Sequence, residues 1–287
     1  MSATSWSPEQ LGRPIKGPSA LGSDWHRFRH LTWAMATTDF KLRFFGSALG
    51  YLWQLMRPLL LFGVLLVVFT QLINLGSGVP YYAETLLLGI VLYTFFAEGT
   101  KSAVTSLVQR ENLVRKIEFP RLAVPLANVL TATFNLGLNF VPVIVFLLAA
   151  GAPVRWSWLE LPFLLAALAV FVIGLAMLLS VLFVRYRDIE PIWDVVLQVF
   201  FYASGVFLPV QLALQQHEFL GRLMMYNPFT AILTQARHAF VDPRNPTAAA
   251  AIGNGWLLLV PAAITLAIFV VGFVVFDRQA PKIAEEL

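Results

Sequence analysis

Six long apolar stretches run along the chain, separated by short polar segments. A helix needs about 20 predominantly apolar residues to cross roughly 30 Å of hydrocarbon, and most of these stretches reach that length. The predicted spans lie at about residues 51–72, 83–107, 122–149, 159–184, 191–208 and 256–276. The pattern therefore predicts an all-α integral membrane protein with six transmembrane helices.

The chain ahead of the first span divides into two parts. Residues 1–22 are polar, contain Pro and Gly at intervals and show no apolar period, which predicts a disordered cytoplasmic tail. Residues 24–46 instead carry Trp33, Thr37 and Phe40 at three- to four-residue spacing, together with charged side chains. This pattern favours an amphipathic helix that lies in the headgroup plane, and a soluble helix that packs on a partner is the alternative.

Between the fifth and sixth spans, short apolar runs are interrupted by Gly221, Pro228 and Arg237. No run in this segment is long enough for a clean span. Two short re-entrant half-helices are the favoured interpretation, since irregular backbone at membrane depth is tolerated where it lies against protein or water. A poor seventh span is the alternative.

Composition and charge indicate that the chain is a membrane protein and that its N-terminus faces the cytoplasm. Charged residues make up 13% of the chain, about half the usual share of a soluble protein. With the N-terminus inside, the inner segments hold 15 of the 20 Lys and Arg residues, as the positive-inside rule requires. An even number of spans also returns the C-terminus to the cytoplasm, and the first thirty residues lack the apolar core of a signal peptide. We therefore expect a multi-pass protein of the bacterial cytoplasmic (inner) membrane.

Candidate chemistry is sparse. The chain has no cysteine, no GxxxxGK[ST] nucleotide-binding loop and no convincing Ser-His-Asp or paired-carboxylate arrangement, so we predict no catalytic residue and no bound cofactor. His26 and His30 are four residues apart, but no third ligand follows them, and we predict no metal site.

Two ion pairs are predicted within single helices. Asp39 and Arg43 stand at i,i+4, and Glu98 and Lys101 stand at i,i+3, spacings that bring side chains together on one helix face. Acids inside spans are costly to bury and are therefore candidates for function. For Glu98, a role in gating or substrate contact is thus the alternative.

The connector between the second and third spans, QRENLVRKIEFPR, combines charges of both signs with apolar residues. One interpretation is a positive-inside loop, which every polytopic protein needs. The other is a short helix that docks into a groove on a partner protein.

The sequence around this connector resembles ABC-2-type permeases of the polysaccharide, O-antigen and teichoic-acid export family. The matching positions there are Phe95, Phe96, Glu98, Ser106, Asn112, Leu113, Lys116, Phe119, Pro120 and Arg121. Further matches are Lys41, Arg43, Gly46, Leu49, Gly50, Trp53 and Pro58, then Arg187 and Asp188, then Asn227 and Pro228. The resemblance extends over about residues 33–276. One departure is the charged run Gln109-Arg110-Glu111, where many relatives carry less charge.

The resemblance implies an ABC-2-type transmembrane domain at residues 23–287 that works as a homodimer with a separate ABC ATPase subunit. That subunit would hold the ATP and Mg. The implied coupling residues are Asn112, Leu113, Arg115, Lys116, Glu118 and Phe119, and the implied gate residues in the interfacial helix and first span are Lys41, Arg43, Phe44 and Trp53. The implied substrate is a lipid-linked glycan of the O-antigen, galactan, capsule or teichoic-acid type, met among membrane lipids, and no nucleic acid partner is expected.

Aromatic rings offer flat faces to the apolar C–H surfaces of sugars, so some of the aromatic residues are candidates for the pore lining. The candidate pore residues are Tyr93, Phe95, Phe96, Glu98, Phe200, Phe201 and Tyr202. With 24 Phe in the chain, the alternative is that these rings face lipid or neighbouring helices.

Two other functions stay open at this stage. A drug or lipid exporter would share the fold, and a membrane-embedded transferase would need a cluster of catalytic acids or histidines at one membrane face. The sequence leaves the polymer and its lipid carrier undetermined.

Overall fold

The computed structural model describes residue 21, residues 25–44, 50–72, 79–114 and 119–281, and residue 283, with the backbone alone for Phe44 and Tyr51. Within these residues the chain forms helices and no strand. The predicted disordered tail lies outside the described residues apart from Leu21, and so do residues 115–118 of the connector.

Thirteen α-helices follow one another in the described part of the chain. They are α1 (Trp25–Phe44), α2 (Tyr51–Val67), α3 (Tyr82–Val104), α4 (Ser106–Gln109), α5 (Glu111–Val114), α6 (Ala123–Ala149), α7 (Glu160–Arg185), α8 (Ile189–Ala203), α9 (Val210–Gln216), α10 (Glu218–Met225), α11 (Pro228–Ala236), α12 (Ala248–Ile252) and α13 (Leu259–Gln279). A π-helical turn extends α2 over Val68–Leu72, and another extends α11 over Arg237–Val241. Short 3₁₀ turns precede α7 and α13.

Five helical segments are long and apolar enough to cross a membrane. They are Leu52–Leu72, Tyr82–Val104, Ala123–Ala149, Trp156–Arg185 and Gly255–Gln279. Five of the six predicted spans correspond to these segments. The remaining predicted span, at about 191–208, contains α8, which has only 15 residues and is about 22 Å long. The sixth crossing therefore stays a prediction.

Helix α3 lies at the centre of the bundle. Leu86, Leu87 and Leu88 are all fully buried, although consecutive residues point to different sides of a helix. Helices α6 and α7 pack along α3, and α2 and α8 contact it as well. At the level of Leu86–Leu88, side chains on every side of α3 are thus covered by the protein rather than by lipid.

Helices α7 and α13 approach each other closely at a pair of glycines. A Cβ built on Gly272 would lie 2.4 Å from the carbonyl oxygen of Gly174, and a Cβ built on Gly174 would lie 2.8 Å from the backbone of Phe269. Small residues allow helix backbones to approach in membranes, where packing rather than water exclusion drives association. This crossing attaches the last span to the bundle.

Helix α1 packs against α6. The hydroxyl of Thr131 donates to the carbonyl of Ala36 at 3.2 Å, and both residues are buried. The rings of Trp33 and Phe40 meet the ring of Phe134 edge to face. The outward side of α1 leaves Trp33 partly exposed next to polar residues, which suits a helix at the headgroup level.

The segment between α8 and α13 forms four short helices, α9 to α12, so the prediction of two half-helices was wrong in number. The longest of the four, α11, has nine residues, too few to span a membrane. The Asn227 side chain caps α11 by accepting the Phe229 N–H at 3.0 Å, and Pro228 occupies the first turn, where no N–H is needed. Whether this segment re-enters the membrane stays a prediction.

Candidate functional site

Charged side chains from distant parts of the chain meet where α1, α3, α6, α8 and the α4–α5 connector come together. We call this set the ion-pair network. Its members are Asp39, Arg43, Glu98, Lys101, Arg110, Asn135 and Asp194. It includes one predicted gate residue and one predicted pore residue, and it reaches the predicted coupling segment.

Glu98 holds three helices together. Its carboxylate forms an ion pair with Arg43 of α1, and the same oxygen accepts a hydrogen bond from the Asn135 amide of α6 at 2.6 Å. The Glu98 side chain is 17% exposed. The predicted pair between Glu98 and Lys101 was therefore wrong, because the Glu98 carboxylate binds partners on other helices.

Lys101 pairs with α8 instead. Its amine lies 2.7 Å from the Asp194 carboxylate. Beside this pair, the indole N–H of Trp193 donates to the Thr100 hydroxyl at 3.1 Å. The end of α3 is thus attached to the beginning of α8 by two polar contacts.

Asp39 pairs with Arg110, which lies between α4 and α5. Asp39 also interacts electrostatically with Arg43, as the i,i+4 spacing predicts, while Arg43 forms its ion pair with Glu98 outside α1. The contact between Asp39 and Arg110 joins α1 directly to the connector.

The described part of the connector exposes the predicted coupling residues Asn112 and Leu113. Phe119 is half-buried and packs against the apolar cluster that contains Phe28 and Val114. The other three predicted coupling residues lie outside the described residues; they are Arg115, Lys116 and Glu118. The coupling role of all six stays a prediction.

The predicted gate residues lie near the end of α1 and the beginning of α2. Lys41 and Trp53 are exposed, whereas Arg43 belongs to the ion-pair network. Phe44 is the last residue of α1, and its side chain lies outside the described part. Their role as a gate stays a prediction.

The predicted pore aromatics divide between core and surface. Phe95 and Phe96 are buried inside the subunit, and the Phe96 ring stacks on Phe200 with centroids 4.6 Å apart. Both rings are covered by neighbouring helices of the same chain, as the alternative interpretation predicts, and their role as a pore lining stays a prediction.

The remaining aromatic candidates lie nearer the surface. The Tyr93 hydroxyl donates to the carbonyl of Leu197 at 2.7 Å, and its ring meets Phe201 edge to face. Phe200 and Phe201 are half-buried, and Tyr202 is exposed. Of the seven candidates, Tyr202 is the aromatic ring most available to a partner or a substrate.

Arg237 lies in the segment between the fifth and sixth predicted spans, and its side chain is buried. Its guanidinium donates to the carbonyls of Gly205 and Val206 at 2.8 and 2.6 Å, and more weakly to that of Thr85 at 3.3 Å. Gly89 leaves the space that this guanidinium occupies. Arg237 thus connects α11, α3 and the turn after α8. Burying an arginine within an apolar segment costs free energy unless its guanidinium is hydrogen-bonded. The position of Arg237 among apolar residues is the signal by which the sequence could have identified its role.

Comparisons with known proteins agree with the resemblance found in the sequence. A family model described as "ABC-2 type transporter" matches residues 30–241. The chain is 22% identical over 262 residues to the "O-antigen export system permease protein RfbA" of Myxococcus xanthus. This alignment covers 91% of this chain and 97% of the relative. Two proteins of the same name from Klebsiella pneumoniae are 24% and 26% identical, each over 71% of this chain and 77% of its own length.

Proposed function

Since this chain belongs to the ABC-2 type transporter family, we propose that it is the permease subunit of an ATP-driven exporter for a lipid-linked polysaccharide. The observation that carries the proposal is the alignment over 91% of the chain with a protein named as an O-antigen export permease. The exporter acts in the cytoplasmic membrane of a bacterium. A separate ABC ATPase subunit supplies the ATP hydrolysis.

The proposed topology has both termini in the cytoplasm. In this topology α8, together with the turn that follows it, completes the sixth crossing. The Arg237 hydrogen bonds to Gly205 and Val206 support this arrangement, because they satisfy buried backbone carbonyls in the turn that follows α8. The segment α9 to α12 then lies at the outer end of the bundle.

The ion-pair network supports a route for mechanical coupling. In the proposed exporter, the ATPase contacts the connector at Asn112 and Leu113. Arg110 links the connector to α1 through Asp39, and α1 is linked to α3 and α6 through Glu98. A displacement of the connector would therefore also move α1 relative to α3 and α6, because these contacts join them.

A second copy of this chain completes the proposed transporter. One bundle of this size encloses its own core around α3 and leaves no wide internal path within the described residues. A polymer with sugar side groups needs such a path, and the surface between two copies provides one. The lipid carrier would remain in contact with the bilayer while the glycan crosses between the subunits.

Deletion of the gene tests the substrate class. We expect loss of a surface polysaccharide and accumulation of its lipid-linked form inside the cell, measured on extracted glycolipids, with recovery when the gene is restored. A deletion strain that keeps all its surface glycans but becomes sensitive to a drug would contradict the proposal and favour a drug exporter.

Reconstitution with the cognate ATPase tests the coupling. The chain alone should hydrolyse no ATP. In the complex, the exposed pair Asn112→Ala/Leu113→Ala should lower export per ATP hydrolysed by about tenfold, a typical size for a coupling between sites. Asp277→Ala/Arg278→Ala is the matched control, since both of these residues are also exposed and lie at the end of α13. Equal export by the two variants would contradict the coupling role.

A further inference from the structure

A pocket with a mixed polar and apolar lining opens on the side of the molecule where α9, α12 and the segment before α3 meet. Its volume is about 390 Å³, within the range of about 300–1,000 Å³ that is typical of small-molecule sites. Gln211, Gln215 and Arg244 supply its polar lining. Pro80 and Pro246 contribute apolar walls. None of these residues belongs to the ion-pair network or to the candidate pore residues.

The two glutamines have free hydrogen-bonding capacity. Among the residues that the structure describes, neither the Gln211 nor the Gln215 side chain has a hydrogen-bond partner. Each amide offers an acceptor oxygen and two donor hydrogens. A small cavity of about 10 Å³ shares Gln211 and Pro246 with the pocket, and there the buried Asn245 amide nitrogen also lacks an acceptor.

The one charged residue of the pocket lining, Arg244, is already paired with an acid. Arg244 donates two hydrogen bonds to the Asp242 carboxylate, at 3.0 and 3.1 Å, in a bidentate pair. The side-chain hydrogen bond from Arg244 also lowers the pKa of Asp242 from its ordinary value, so this acid is ionised at neutral pH and balances the arginine. The lining therefore offers neutral amide donors and acceptors beside an arginine that already has an anionic partner.

The residue that follows the lining residue Pro80 has an unusual backbone conformation. Tyr81 has a φ of 50°, and it is the one non-glycine residue with positive φ in the described part of the chain. A non-glycine residue in this region needs surrounding structure to hold it. The Arg244 guanidinium lies over the Tyr81 ring, 5.8 Å from its centroid, and this contact fixes the arginine at the pocket edge.

We propose that this pocket binds one or two sugar units of the exported polymer as they leave the transporter. Sugars present hydroxyls that both donate and accept, with apolar C–H faces between them. The free glutamine amides, the balanced arginine and the proline walls match that chemistry. The inference rests on the proposed function and on its topology, which places the pocket at the outer end of the bundle.

Saturation-transfer NMR on the full chain in lipid nanodiscs tests the site. The probe is a set of di- to tetrasaccharides released by mild acid from the surface polysaccharide of the host. We expect saturation transfer to the sugar protons and about tenfold weaker binding in Gln211→Ala/Gln215→Ala, because two neutral hydrogen bonds are lost. Gln216→Ala should bind like the unmodified chain, since Gln216 ends the same helix but does not line the pocket.

Equal binding by the double variant and by Gln216→Ala would overturn the inference, and so would displacement of the sugars by inorganic phosphate. Thermal unfolding of the variants checks that each one is folded. Gene deletion separates the two proposals: if deletion abolishes the surface polysaccharide but the double variant binds normally, the pocket assignment fails alone. If deletion leaves the polysaccharide intact, the proposed function fails first.

Discussion

The charged side chains of the ion-pair network differ in burial, and this difference decides which of them hold helices together. Arg43 and Glu98 are 35% and 17% exposed, whereas Lys101 and Asp194 are 54% and 44% exposed. An exposed pair contributes about 0–1 kcal/mol, because water screens it. Removing one partner of a less exposed pair leaves a charge that neither water nor protein satisfies well.

A double-mutant cycle on these two pairs measures the difference. We expect an interaction energy of about 1.5–3 kcal/mol between Arg43→Ala and Glu98→Ala. The matched cycle of Lys101→Ala and Asp194→Ala should give less than about 1 kcal/mol. The free energy of unfolding, followed by detergent titration in mixed micelles, supplies the values. A larger interaction for the exposed pair would refute the view that Glu98 fastens α1 to α3.

The sequence singled out Asp39, Arg43, Glu98 and Lys101, but it did not single out Asn135 or predict which helices these side chains join. Helical spacing suggested that Glu98 pairs with Lys101, because spacing shows only neighbours on the same helix. Arg43, the actual partner of Glu98, is 55 residues away in the sequence, and Asp194 is 93 residues from Lys101. Such contacts depend on how the helices pack, and a single sequence gives no measure of that.

At the scale of the helices, α7 and α13 can cross closely because Gly174 and Gly272 have no side chains. Because a Cβ on Gly272 would come within 2.4 Å of the Gly174 carbonyl oxygen, the two backbones must separate to admit even one methyl group. Separation would also weaken the packing of the rest of α13, which contacts α7 more than any other helix. A substitution at Gly272 should therefore destabilise the packing of the last span.

Gly272→Ala should lower the midpoint of thermal unfolding in detergent by about 5–10 °C, as expected when overpacking costs on the order of 2–3 kcal/mol. Gly137→Ala is the matched control, since it lies in α6 with open space around its Cβ position. This control should be neutral or slightly stabilising, because alanine favours helix over glycine. An equal decrease in both variants would show that helix propensity, rather than the crossing, sets the effect.

Apolar length predicted most of the helices, but it extended one of them beyond its end in the structure. The predicted fifth span continued to residue 208 because Val206, Phe207 and Leu208 are apolar. In the structure α8 ends at Ala203, and Gly205 with a φ of 72° turns the chain away. Val206 remains apolar because it is buried against the bundle, not because it is helical. A count of apolar residues does not separate these two causes.

For the whole molecule, the outward faces of α8 and α13 differ in chemistry although both are exposed. The outward side of α13 between Leu259 and Val274 is apolar, as a lipid-facing surface requires. Helix α8 instead exposes Asp194 and Gln198 among its apolar residues. Polar side chains inside a membrane rarely face lipid and usually face protein or water. The surface of α8 is thus better suited to a second copy of the chain than to acyl chains.

Single-cysteine crosslinking tests this assignment, and the chain has no cysteine of its own to interfere. Val199 on α8 and Leu266 on α13 are equally exposed, each at 61%, so their substitution compares location rather than accessibility. In native membranes, a short bismaleimide should convert Val199→Cys into a covalent dimer on a denaturing gel and leave Leu266→Cys a monomer. A dimer from Leu266→Cys alone would move the contact to α13 and remove α8 from the proposed path between the subunits. A helix that faces lipid in the proposed dimer cannot also border the proposed route of the glycan.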